Sequence, residues 1–256
     1  MKTPTTAEKL LISLGITEPG EIDLEAIAWT LGVKVKFKPL DGCEARIVGM
    51  VDSAVVTVNS RSTSQRQRFS IAHELGHWEF HRGKVMVCRQ DEIGSLAKGV
   101  PQAEKKADRY AADLVMPRYL FRPAMRVHKQ LDFNSIRMIA DQFETSLTAT
   151  AIRIIDCDDY PAILICHNQS GRRWFSRSNL VPSKWFPRDE LQPESSAMDI
   201  LYGQRQNDSR LRSISADAWF DRYDAHKYEI YEQTWRLSEE EIFTLLIIDD
   251  EEMLEE

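Results

Sequence analysis

The chain has 256 residues, of which 43% are hydrophobic and 29% are charged, a composition typical of a globular protein with a sizeable core. No apolar run approaches the roughly 18 residues of a membrane span and the first residues are polar, so we expect a cytoplasmic protein with no membrane partner. The net charge of −7 is concentrated in residues 238–256, which carry nine carboxylates and no Lys or Arg and predict a solvated acidic tail.

Four cysteines are widely spaced along the chain: Cys43, Cys88, Cys157 and Cys166. None of them belongs to a Cys-x-x-Cys pair, which is the usual spacing of a zinc ribbon or a redox motif. The pattern favours reduced thiols over a disulfide framework and agrees with a cytoplasmic location.

The first 60 residues predict two helices followed by strands. Turn and cap residues indicate helices at 5–14 and 23–32, and alternating apolar and basic residues indicate a strand at 33–37. A hairpin is expected from residues 47–51 and 54–59. Because the second hairpin strand directly precedes the central motif, we interpret it either as an ordinary edge strand or as a strand that holds an extended peptide.

The central motif is His73-Glu74-x-x-His77, inside a stretch that predicts one helix. Histidines at i and i+4 lie on one helical face, about 40° apart around the axis, so both imidazoles can reach a single metal ion. Glu74 lies beside them, where a carboxylate can act as general base. A glycine inside a helix costs about 1 kcal/mol relative to alanine, so Gly76 indicates that another backbone approaches closely. The motif predicts half of a metal site.

The missing ligand is expected on the helix predicted at 102–116. Glu104 and Asp108 lie at i and i+4 of this helix, on a side that also carries the small Ala107. Glu104 would complete the metal ligands, and Asp108 would accept a hydrogen bond from the distal nitrogen of a metal-bound histidine. The alternative is a pair of carboxylates on a solvated helical face, but the neighbouring motif helix favours the metal site.

These two helices carry a family resemblance. The segment Arg68-Phe-Ser-Ile-Ala-His-Glu-Leu-Gly-His, followed by Glu104-x-x-Ala-Asp-x-Tyr-Ala-Ala-x-Leu-x-Met-Pro, resembles the ImmA/IrrE family of metallopeptidases. The resemblance extends over about residues 5 to 155 and includes the N-terminal helices.

The resemblance implies that His73, His77 and Glu104 bind Zn²⁺, with Mn²⁺ as the alternative, and that Glu74 is the catalytic carboxylate. Members of the family are typically bacterial or mobile-element proteins that cleave a helix-turn-helix repressor and so switch on stress or excision genes. A helix-turn-helix repressor is therefore the implied protein partner and substrate.

Further residues are candidates around the site. A second donor to the developing negative charge is expected among four residues: Arg68, His81, Arg109 and Tyr110. His81 lies eight residues beyond His73, about 12 Å along a helix axis, so we expect it to lie beside the metal ligands or to be structural, and not to bind the same ion. Cys43 lies on a predicted turn, and its thiol is either inert packing or a latency ligand that occupies the fourth metal position.

Residues 118–155 predict a pair of helices, at 133–143 and 146–155. The layout resembles a helix-turn-helix, but six Lys or Arg against three acidic residues is little positive charge for phosphate binding. We therefore favour a helical pair that packs under the catalytic domain, and we regard direct DNA binding as the weaker alternative. The remaining residues predict a hairpin at 162–177 and strands at 214–220, 228–237 and 242–248.

These patterns predict an α+β protein with three parts: a zincin-like mini-metallopeptidase domain at 1–121, a helical extension at 122–156, and a small C-terminal antiparallel α+β domain at 157–256 with an acidic tail. We expect a zinc-dependent endopeptidase that cleaves a specific transcriptional repressor, while the C-terminal domain senses a signal or presents the substrate.

The alternative is a non-proteolytic, metal-containing regulatory or binding module, such as one partner of a toxin–antitoxin-like pair or a DNA-associated regulator. The sequence indicates no particular oligomeric state.

Overall fold

The computed structural model describes residues 3–82, 86–89, 101–203 and 208–255. The chain divides into two compact units, one formed by residues 1–127 and 138–149 and the other by residues 128–137 and 150–256. Both units combine helices with one β-sheet, so the α+β class predicted from the sequence is confirmed. The domain boundaries predicted at residues 121 and 156 stay predictions.

The helices of the described chain are α1 (Thr6–Ser13), α2 (Leu24–Thr30), α3 (Ser64–Phe80), α4 (Gln102–Val115), α5 (Arg118–Arg126), α6 (Phe133–Phe143), α7 (Leu147–Asp156), α8 (Ser196–Tyr202) and α9 (Glu251–Leu254). The strands are β1 (Val33–Lys38), β2 (Cys43–Gly49), β3 (Ala54–Asn59), β4 (Met86–Arg89), β5 (Ala162–Asn168), β6 (Gly171–Arg177), β7 (Arg212–Ser215), β8 (Glu229–Arg236) and β9 (Ile242–Ile247). None of the helices formed by described residues is both long and apolar enough to cross a bilayer.

The sheet of the first unit has the strand order β1-β3-β2-β4. Strand β3 lies in its interior, parallel to β1 on one side and antiparallel to β2 on the other. The backbone groups of β3 are therefore hydrogen-bonded to strands on both sides. The predictions that this strand lies at the sheet edge, or that it holds an extended peptide, are both wrong. Cys43 begins β2 instead of lying on a turn, which corrects a second expectation.

The Glu8 carboxylate connects helix α1 to helix α5 of the same unit. Thr5 and Glu8 form a capping box, in which the Glu8 carboxylate accepts a hydrogen bond from the Thr5 backbone N–H at 2.9 Å. The other Glu8 carboxylate oxygen accepts from the backbone N–H of Arg118 at 2.6 Å. One buried carboxylate thus satisfies free N–H groups at the starts of both α1 and α5.

Helices α6 and α7 form at the two predicted positions. The apolar residues that repeat along α6 are buried, namely Ile136, Ile139, Ala140 and Phe143. Phe143 packs edge to face against Phe121 of α5, with ring centroids 5.2 Å apart. The apolar face of the C-terminal part of α6 is therefore used for packing inside its own unit.

The sheet of the second unit is antiparallel throughout, with the order β6-β5-β9-β8-β7. Strand β7 is shorter than predicted, because the chain turns into a 3₁₀ helix at Ala216–Ala218 where a longer strand was expected. The acidic tail is not simply solvated: α9 inserts Met253 into the core, and the Trp185 indole N–H donates to the Met253 carbonyl at 2.6 Å.

A buried carboxylate joins several elements of this second unit. Glu232 of β8 is fully buried and accepts hydrogen bonds from Ser195 Oγ at 2.7 Å, the Ser196 backbone N–H at 2.9 Å and Trp219 Nε1 at 2.7 Å. Arg212 of the neighbouring strand β7 lies 3.2 Å from the same carboxylate. Because buried charge is costly unless it is paired, this cluster is expected to fix the position of the α8 N-terminus.

Candidate metal centre

Helix α3 places the first two metal-ligand candidates on one buried face. Thr63 caps the helix by accepting a hydrogen bond from the Arg66 backbone N–H at 3.3 Å. His73 and His77, one turn apart, are 0% and 1% exposed. The helix ends at Phe80.

Helix α4 crosses this face at Gly76, as the glycine predicted. A Cβ atom added to Gly76 would lie 2.9 Å from Ala107 Cα and 3.0 Å from the Ala107 carbonyl oxygen, closer than van der Waals contact permits. Ala107 and Ala111 are fully buried at this crossing. The absence of a side chain at Gly76 therefore lets α4 come close enough for its acidic residues to reach the histidines.

Three side chains converge at this crossing. Glu104 Oε2 lies 3.1 Å from His73 Nε2 and 3.3 Å from His77 Nε2, and the two Nε2 atoms lie 3.0 Å apart. Two donors on a tetrahedral zinc ion, each about 2.1 Å from the metal, lie about 3.4 Å from each other. The donor types and their spacing therefore fit one divalent metal ion.

Electrostatics at this cluster also favour a cation. Burial by itself lowers the pKa of His73, but hydrogen bonds to Asp108 and Glu104 outweigh it and raise this pKa to about 9. Hydrogen bonds from His73 and His77 hold the pKa of Glu104 well below its usual range. The two carboxylates thus create a negative potential that favours a cation at this position.

The two residues flanking the ligand set lie where the sequence placed them. Asp108 Oδ1 lies 2.8 Å from His73 Nδ1, so the carboxylate holds the ring by the nitrogen that faces away from Glu104. Glu74 is fully buried, and its charge contributes to the raised pKa of His73. Both positions agree with the predicted roles, which stay predictions.

His81 also contacts the ligand set, where the sequence predicted either a residue beside the metal ligands or a structural residue. It is the C-cap residue of α3, and its Nδ1 atom lies 3.2 Å from His77 Nδ1. The available sequence signal for this contact was the spacing of four residues between His77 and His81. The backbone leaves helical geometry at His81, where φ is −133°. Among the described residues, the ligand group comprises His73, His77 and Glu104, and His81 is not in it.

The other candidates are not gathered at the cluster. Arg68 donates to the Ile22 carbonyl at 3.2 Å and pairs with Glu144 at 3.1 Å, so its guanidinium holds other parts of the unit. Tyr110 is buried edge to face against Phe80, with ring centroids 5.7 Å apart, and burial raises the pKa of its hydroxyl.

Arg109 is exposed on α4. Cys43 is a partly exposed free thiol at the start of β2, and its sulfur is not part of the group of ligand atoms among the described residues. A latency role for Cys43 therefore stays a hypothesis, as do the transition-state roles suggested for Arg68, Arg109 and Tyr110.

The fold and the cluster define an α+β protein with a buried His-His-Glu group that could hold a metal ion and is built from a helix pair. The sequence profile of the Peptidase_M78 family, described as the IrrE N-terminal-like domain, matches residues 28–154. Through this domain the chain belongs to the ImmA/IrrE family, which confirms the resemblance seen in the sequence.

Two individual proteins are similar to this chain. "Uncharacterized protein YqaB" of Bacillus subtilis (strain 168) is 32% identical over 76 residues, which cover 30% of this chain and 42% of YqaB. The match thus spans less than half the length of that relative. A solved structure titled "Mycobacterium tuberculosis transcriptional regulator" aligns with a TM-score of 0.60 and 13% identity, covering 96% of this chain and 87% of that one. At this identity the likeness shows a shared fold alone.

Proposed function

We propose that the protein is a cytoplasmic, zinc-dependent endopeptidase of the ImmA/IrrE type, with Mn²⁺ as the alternative metal. The observation that carries this proposal is the buried His73–His77–Glu104 cluster, whose ligand atoms all lie within 4.8 Å of one another beside the buried carboxylate of Glu74. Among the described residues the group has three ligands, which leave a further coordination position open as in hydrolytic metal sites, whereas structural zinc sites are closed by four.

In the proposed mechanism, Glu74 and Asp108 have separate roles in peptide hydrolysis. A divalent metal ion in this site would supply a Lewis acid that polarises the scissile carbonyl and lowers the pKa of water. Glu74 removes a proton from the attacking water and later delivers it to the leaving amine. Asp108 keeps the His73 ring in the orientation that directs Nε2 toward Glu104.

The proposed substrate is a specific helix-turn-helix repressor, whose cleavage would derepress stress or mobile-element genes. The support for this partner is membership of the ImmA/IrrE family. Direct DNA binding is not part of the proposal. The second unit, with its antiparallel sheet, is proposed to sense a signal or present the substrate.

The test is to incubate the purified full chain with the repressor encoded beside its gene, with added Zn²⁺ or Mn²⁺. Glu74→Gln keeps the size of the side chain but removes its basicity, so cleavage should fall by about 100- to 10,000-fold while metal binding persists. Cleavage by wild type that the variant lacks supports the proposal. A stable complex without cleavage would instead support the non-proteolytic binding module, and cleavage that persists in Glu74→Gln would contradict the role of Glu74.

A further inference from the structure

The contact between His77 and His81 constrains which ring nitrogen carries the proton in each of the two side chains. Their Nδ1 atoms lie 3.2 Å apart, and the ring centroids are separated by 5.3 Å. The backbone N–H of His81 donates to the His77 carbonyl at 2.8 Å, which fixes the His81 backbone one turn beyond His77. At this distance the two Nδ1 atoms form a hydrogen bond only if one carries a proton and the other offers its lone pair.

The ligand geometry decides which ring donates. His77 Nε2 faces Glu104 Oε2 at 3.3 Å and His73 Nε2 at 3.0 Å, so Nε2 is the atom that would bind the metal. A metal-binding nitrogen uses its lone pair, and the proton of a neutral His77 must therefore lie on Nδ1. That N–H points to His81 Nδ1, which accepts when the His81 proton is on Nε2.

We propose that His81 is the positioning residue of His77, the counterpart of Asp108 at His73. Its Nδ1 lone pair fixes the tautomer of His77 and aims Nε2 at the metal position. This inference rests on the metal site of the proposed function, but it concerns the hold on the metal and not the cleavage step. The two histidine ligands are thus oriented unequally, one by a carboxylate and the other by a neutral imidazole.

The alternative is that His81 has only a structural role, in which its ring packs against a neighbouring side chain. The His81 ring also lies 6.4 Å from the Phe80 ring at an interplanar angle of 73°, so a bulky side chain could be needed there for its shape alone. Two variants separate the possibilities. His81→Asn can place its amide oxygen near the position of Nδ1 and keep an acceptor, while His81→Leu retains apolar bulk and removes the acceptor.

The measurement is the affinity of the metal-free full chain for Zn²⁺ and Co²⁺, by competition with a chromophoric chelator. Loss of a group that orients a ligand typically weakens metal binding by about 10- to 100-fold, which is the expected result for His81→Leu. His81→Asn should remain within about threefold of wild type because it restores the acceptor. His226→Leu, a change at an exposed histidine of the second unit, is the matched control and should leave the affinity unchanged.

Two outcomes would overturn the inference: a His81→Leu variant that binds Zn²⁺ as tightly as wild type, or a His81→Asn variant that loses as much affinity as His81→Leu. The Co²⁺ absorption spectrum gives a second readout, since a changed His77 orientation alters the ligand field while an effect on folding alone leaves the loaded site unchanged. Both measurements need no peptide substrate. A protein that binds metal but cleaves nothing would contradict the peptidase proposal and leave the comparison of His81 variants fully interpretable.

Discussion

Substitution of Gly76 by alanine tests whether the close approach of α3 and α4 builds the metal centre. The added methyl group would lie 2.9 Å from Ala107 Cα and 3.0 Å from the Ala107 carbonyl oxygen. Carbon atoms are in favourable contact at about 3.5 to 4.0 Å, so the helices must separate by roughly half an ångström or more. Both of the closest atoms belong to the backbone, and a change of side-chain rotamer cannot relieve the clash.

The expected effect on stability is small and the expected effect on metal binding is large. Overpacking costs about 1 to 3 kcal/mol, whereas alanine is favoured over glycine inside a helix by about 1 kcal/mol, so the free energy of unfolding should fall by at most about 2 kcal/mol. Metal–ligand distances tolerate only about 0.2 Å. A displacement of Glu104 relative to His73 and His77 should therefore weaken Zn²⁺ binding by at least about tenfold.

The assay pairs chelator competition for Zn²⁺ with urea unfolding of the metal-free chain. Gly20→Ala is the matched control, because a Cβ atom at Gly20 meets no atom within 4 Å, and it should leave metal affinity unchanged. Adding Ala107→Gly to Gly76→Ala should not restore binding, since the backbone clash remains. Wild-type affinity in Gly76→Ala, or full rescue by Ala107→Gly, would refute the assignment of Gly76 as a backbone contact.

Two further predictions concern the second unit. Burial lowers the pKa of His167 from 6.5 to about 4. The free energy of unfolding is therefore highest above pH 6.5 and decreases as the pH falls toward 4, and the loss at pH 5 is about 2 kcal/mol. Urea unfolding should show that His167→Gln lacks this loss while the exposed His226→Gln keeps it; equal pH dependence in both variants would contradict the argument. Glu232→Ala leaves several buried donors without their acceptor and should cost about 3 to 5 kcal/mol, against less than 1 kcal/mol for the exposed Glu229→Ala on the same strand. A cost below about 1 kcal/mol at Glu232 would mean that the cluster does not fix the α8 N-terminus.

The arrangement of the candidate metal ligands could be predicted because their geometry is local to two helices. Spacing of four residues places His73 and His77 on one face whatever the surroundings, and the same spacing aligns Glu104 with Asp108. Gly76 indicated where the two helices cross, since a glycine there is unfavourable for the helix by itself. Helical periodicity, together with a glycine at an unfavourable helical position, was therefore enough to predict that the three ligand candidates and Asp108 lie together.

The sequence was less informative where a residue's role depends on distant partners. The position of β3 inside the sheet follows from its parallel pairing with β1, and local alternation of apolar and polar residues cannot reveal which strand becomes an edge. Arg68 was a candidate for charge stabilisation, but its partners Ile22 and Glu144 lie far away in the sequence. The acidic C-terminal residues predicted a solvated tail, while apolar side chains between them, including Ile242, Leu246 and Met253, are buried in the core.

The sequence by itself thus determined the residues of the candidate metal site: two imidazoles and a carboxylate that could hold a metal ion, with a second glutamate beside them. Only the tertiary structure decided how these groups are held. The approach of α4 at Ala107 brings Glu104 within 3.1 Å of His73, and the end of α3 turns the His81 ring onto His77 Nδ1. The reason is physical, because residue spacing fixes which side chains share a helical face, whereas distances between elements depend on packing contacts across the whole unit.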